Sequence, residues 1–171
     1  MRMAVLSVSL ALGFAAGYTA RQAERVGARE VRLFVIERST NANVVAYDAR
    51  LGDGGFDVRN PISVYWIMHE EGGEREELSG LERRLAFGVR VSRATAEEVS
   101  FSLVALPERL ITVRLEPEGP VATVDIGGER VRIERIFVAA KEGSLIPGVE
   151  YVEFGGTRLR DGKEAKERIR P

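Results

Sequence analysis

The sequence predicts a mainly β domain: a single antiparallel β-barrel or barrel-like sandwich of about eight to ten strands with one short helix. Three observations predict it. From Val31 onward apolar residues recur with a period of two, as in strands with one buried face. Glycine-rich breakers interrupt these runs at short intervals. No linker, internal repeat or low-complexity tract divides the body of the chain, and 171 residues leave room for one ordinary domain.

The elements follow in order. Val31 to Ile36 is apolar on both faces, which predicts a central strand. Ile62, Val64, Trp66 and Met68 share one face of the next strong strand, and Ser63, Tyr65, Ile67 and His69 share the other. Ser79-Gly80-Leu81-Glu82 reads as a capping box that opens the one helix, with Gly88 as its stop. Leu81 and Leu85, four apart, are expected to turn one helical face onto a sheet. Two further alternating runs are Val99-Phe101-Leu103-Ala105 and Ile111-Val113-Leu115. Gly127-Gly128 lies between Val124/Ile126 and Val131/Ile133, as a two-residue hairpin does. After Ile133 the inward phase slips to Ile136 and Val138, which predicts a bulge near Glu134–Arg135. Turns are also expected at Gly52-Asp53-Gly54-Gly55, Glu71-Gly72-Gly73, Pro117-Glu118-Gly119-Pro120 and Asp161-Gly162. Closure into a barrel is favoured because it removes edge strands.

The N-terminus has a different character. Met1-Arg2-Met3 is a short positive region, Ala4 to Ala16 is apolar and uncharged, and small residues follow through Ala20. This is the layout of a secretory signal peptide. The alternatives are an uncleaved membrane anchor, since Met3 to Ala20 sits at the lower edge of bilayer-spanning length, or an N-terminal helix of the fold. The expected organisation is residues 1–20 signal or anchor, 21–30 short linker, and 31–171 β domain, in the periplasm or secreted.

Composition narrows the chemistry. With 25 basic and 26 acidic residues, the chain lacks the clustered basic field of a nucleic-acid binder. The absence of cysteine excludes disulfides, thiolate nucleophiles and cysteine-held metals. His69 is the sole histidine, and neither a second metal-ligating histidine nor a Gly-x-Ser-x-Gly elbow accompanies it. Asp48, Asp53 and Asp57 flank a glycine turn but depart from the calcium-loop spacing. Neither a P-loop nor a Gly-x-Gly-x-x-Gly follows a strand, so no cofactor, metal or catalytic residue is assigned.

One polar segment stands out, Glu37-Arg38-Ser39-Thr40-Asn41-Ala42-Asn43 between two strong strands. Its amides and guanidinium, with the aromatics Tyr47, Tyr65 and Trp66 downstream, make Arg38, Asn41, Asn43 and Trp66 the candidate ligand-binding residues. A structural turn beside core aromatics explains the same residues. If they form a pocket, the four converge at one end of the barrel with Tyr47 or Tyr65 nearby.

The run Leu33 to Val45, with Val64-Tyr65-Trp66-Ile67-Met68, resembles a bacterial family of unknown function, DUF4833. Leu81 to Gly88, Arg135-Ile136-Phe137-Val138 and Tyr151-Val152-Glu153 also fit, so the resemblance covers the chain from about Val31 onward. It implies a domain boundary but no activity. The functional expectation is an exported, non-catalytic β domain that binds a small amphipathic ligand or a cell-envelope partner. Contact with membrane would run only through an uncleaved N-terminal segment. The alternatives are a structural or interaction module without an internal pocket and, third, a carboxylate-dependent hydrolase.

Overall fold

A computed structural model describes residues 29–141 and 148–170. The expected signal segment 1–20 and most of the expected linker lie outside the described residues. The first strand, β1, starts at Arg29, inside the expected linker.

Among the described residues, twelve strands form one branched sheet. Its trunk is β10 (Glu129–Ala140), β11 (Val149–Arg158) and β12 (Glu164–Ile169). β11 runs along one edge of β10, from Val131 to Ala140. The other edge is shared. β9 (Gly119–Ile126) pairs with Glu129 to Arg132, and β1 (Arg29–Arg38) takes over from Arg135 to Val138. Two arms therefore leave the trunk. One carries β1, β2 (Asn41–Gly52), β4 (Ile62–Met68) and β5 (Glu74–Glu77). The other carries β9, β8 (Leu106–Glu116), β7 (Glu98–Leu103) and β6 (Val89–Ala94). A two-residue strand, β3 (Gly55–Phe56), pairs with the end of β2 and hydrogen-bonds through Phe56 N to Ala96 O at 2.9 Å, tying the arms together.

The mainly β, barrel-like class follows from the alternation in the sequence, because each strand buries one face. The handover on β10 occurs at a register shift between Ile133 and Arg135, where the slip in phase predicts a bulge. Gly127 and Gly128 turn the β9–β10 hairpin with φ of 61° and 82°, the conformation this turn requires. One pairing departs from the antiparallel expectation: β1 and β10 run parallel. No hairpin joins them, so nothing local sets their direction. The count exceeds about ten because short pieces such as β3 and the four-residue β5 pair as strands too.

The core fills the space between the arms. Phe34 of β1 stacks on Tyr47 of β2 at 4.6 Å between ring centroids, and on Phe101 of the opposite arm at 6.5 Å. All three rings are essentially fully buried. Burying one such side chain contributes about 1.5–3 kcal/mol. The outermost strand of the first arm, Glu74-Arg75-Glu76-Glu77, is exposed and charged along its length, which discourages edge-to-edge pairing.

The helix is shorter than expected and faces the other way. α1 (Gly80–Glu82) has the full capping box, Ser79 N to the Glu82 carboxylate at 2.8 Å and Glu82 N to the Ser79 hydroxyl at 3.2 Å. It then widens into a π-turn over Arg83–Phe87. Leu81 and Leu85 point outward, 58% and 62% exposed, and Phe87 packs against the core instead. The wider turn changes the angular step, so an i, i+4 pair does not fix which side meets the sheet. Gly88 ends the turn, where a Cβ would collide with the Arg83 carbonyl oxygen.

Candidate functional site

The polar turn between β1 and β2 and the end of β4 meet at one end of the first arm. The Arg38 guanidinium lies over the Trp66 ring, 4.4 Å from its centroid, and donates to Asn41 Oδ1 at 3.1 Å. Asn43 Oδ1 accepts from the Glu70 backbone N–H at 3.1 Å, and Glu70 Oε1 accepts from Ala42 N at 3.2 Å. The four residues singled out in the sequence therefore share one end of the arm, with Asn43 joined to the others through Glu70 and the β1–β2 turn. Burial draws Arg38 below its ordinary pKa, against the opposing pull of Glu82 and Glu70.

Trp66 also anchors the helical connector. Its indole N–H donates to Glu82 Oε1 at 3.3 Å, and its ring meets Phe87 edge-on at 5.2 Å. The Tyr47 hydroxyl, beneath, donates to the Phe87 carbonyl at 2.6 Å. Hydrogen bonding to Ser79 is the main influence holding the Glu82 carboxyl below its ordinary pKa; Trp66 and Arg38 add to it and partial burial opposes it. Tyr65 points to the opposite face of β4, so Tyr47 is the tyrosine of this end.

Phe87 connects the cluster to a cleft of about 560 Å³. Ala86 and Phe87 form one wall, and Leu103, Ala105 and Leu106 of the β7–β8 hairpin form another. The remaining sides are Ile36 of β1 with Ile136 and Val138 of β10, then Val149 and Val152 of β11 and Ile169 of β12. Among the described residues Arg170 is the one charged residue in the lining. None of Arg38, Asn41, Asn43 and Trp66 lines it directly. A cleft of this size, apolar with few polar groups, is of the kind that takes small molecules. In the sequence its walls read as ordinary inward-facing strand residues, with no motif to mark them.

A second polar cluster covers the outer face of the first arm. Asp48, buried in β2, accepts from Arg32 Nε and from the Tyr65 hydroxyl, the latter at 2.6 Å. Arg32 also donates to Tyr65 at 3.1 Å, and Arg75 lies over the Tyr65 ring, 3.6 Å from its centroid, while donating to Glu30 at 2.6 Å. Burial opposes the charge on Arg32, but the hydrogen bond and charge of Asp48 outweigh it and hold its pKa above the ordinary value. Burial, then Asp48, raises that of Tyr65. Each member is satisfied by another, as in a cluster that pins strands. Asp48 is thereby committed to Arg32 and Tyr65 instead of a cation. Across β1 and β2, Arg32 stands opposite Asp48, a register the two sequences alone do not display.

His69 sits exposed in the 3-10 turn His69–Glu71. Among the described residues no group of three or more histidines, aspartates or glutamates is placed to hold a metal ion.

The fold and this end of it define a barrel-like β domain with an apolar cleft walled by a capped helical turn. The chain belongs to the family whose model, "Domain of unknown function (DUF4833)", matches residues 34–168. No curated protein and no solved structure matches it.

Proposed function

We propose that this chain is an exported, non-catalytic domain that holds a small amphipathic ligand in the cleft between the β7–β8 hairpin and the trunk. The cleft itself carries the reading: eleven of its twelve described lining residues are apolar, and they enclose about 560 Å³. Arg38, Asn41, Asn43 and Trp66 serve it as the supporting end, where Trp66 fixes Phe87 and thus one wall. The charge-then-apolar-then-small pattern through Ala20 supports export. An intact Met1 on protein recovered from the host's cytoplasm contradicts that part.

The test of the cleft uses N-phenyl-1-naphthylamine, a neutral apolar dye whose emission rises in dry surroundings. Saturable binding with one site per chain is expected, abolished by Val138→Phe, which fills the cleft from β10. Binding that survives the substitution, or no saturable binding, overturns the reading. The exposed Leu81 and Leu85 favour a second reading, an interaction module docking through the helical turn. On that reading Leu81→Ser with Leu85→Ser removes partner capture and leaves dye binding intact.

A further inference from the structure

Resting on the reading of the cleft as a binding site, the chemistry of its rim narrows the occupant. We infer that it is a single-chain alkyl carboxylate, seated tail inward with its head at Arg170. Among the described residues the walls offer a tail only aliphatic side chains and Phe87, so a polar group placed deep inside would lose its hydrogen bonds to water without replacement. The head must stay at the rim. Among the described residues the one charge there is a cation, and no carboxylate lines the cleft. Among the described residues Arg170 takes part in no ion pair, whereas Arg168 is held by Glu153 at 2.9 Å and Arg109 by Glu167 at 2.6 Å. Arg170 is exposed, past the end of β12, so its planar fork is open to a carboxylate in bidentate geometry. One guanidinium balances one negative charge. A phosphate monoester, carrying nearly two charges at neutral pH, would leave part of its charge uncompensated.

The experiment is displacement of N-phenyl-1-naphthylamine from the full chain by decanoate, decyl phosphate and decyltrimethylammonium, with wild type and Arg170→Glu side by side. Decanoate is expected to displace the dye at roughly tenfold lower concentration than the cation of equal tail length. Arg170→Glu is expected to abolish or invert that order, with each protein's displacement read against its own dye affinity. Unchanged Trp66 emission confirms that the variant folds. Equal displacement by anion and cation, or an order unmoved by Arg170→Glu, overturns the inference and leaves the cleft reading standing. Tighter binding of decyl phosphate than decanoate overturns the carboxylate assignment. Failure of the dye itself to bind removes the cleft reading, a different outcome from either.

Discussion

Two apolar spaces lie side by side in this domain, and they are built differently. Between the arms, Phe34, Tyr47 and Phe101 stack across the gap, with Ile111, Val113 and Val99 beside them, and all six are essentially fully buried. Beside the trunk, the cleft's walls mix short side chains such as Ala86, Ala105 and Val138 with larger ones such as Phe87, Leu103 and Ile136, and leave about 560 Å³ between them. Stacked aromatic rings span the first space, and the described walls leave the second open. Equal hydrophobicity with unequal packing separates a core from a site.

The largest expected effect is in the filled space. Phe34→Ala removes the ring shared by both stacks and should cost about 3–5 kcal/mol in chemical denaturation. A loss under about 1 kcal/mol would mean the arms are not packed as described. Enlargement gives the sharper contrast. Val113→Phe, with no free volume around it, should cost about 1–3 kcal/mol. Val138→Phe, facing the cleft, should change stability by no more than about 0.5 kcal/mol. Equal costs would erase the distinction between core and cleft. A smaller effect is expected at the polar end, where Asn43→Ala leaves the Glu70 N–H without its acceptor and should cost about 1 kcal/mol. Dye affinity should stay unchanged, since Asn43 does not line the cleft.

The pH response of Trp66 is the smallest. Glu82 has a depressed pKa in the folded protein, so its contribution is present above the ordinary value of 4.5 and lost as pH falls through the folded value below it. Trp66 emission should change below pH 4.5, and Glu82→Gln should lose that step. An identical titration in the variant would assign the change to another group.

Much of the fold was legible because its causes are local. Period-two runs mark strands, glycine turns mark hairpins, and the slip after Ile133 marks the bulge where β10 changes partners. What stayed hidden depends on pairing across distance. Glu37 of β1 meets Arg135 of β10 across 98 positions, and nothing near either residue foretells it. Leu81 and Leu85 show the same limit in small: their spacing names a face but not its direction. At the candidate site, Arg38, Asn41 and Trp66 were legible as unusual residues flanking strong strands. The cleft was not, since its lining comes from six strands, a hairpin turn and a π-turn, and each residue alone looks like core.

Occupancy of the cleft is read most directly by energy transfer from tryptophan to bound N-phenyl-1-naphthylamine. Trp66 is the one tryptophan in the chain, and its ring touches the Phe87 wall of the cleft. With the dye in the cleft, tryptophan emission is expected to fall in step with the rise in dye emission, saturating together at one dye per chain. Dye emission that rises while Trp66 emission stays constant would place the bound molecule elsewhere and contradict it.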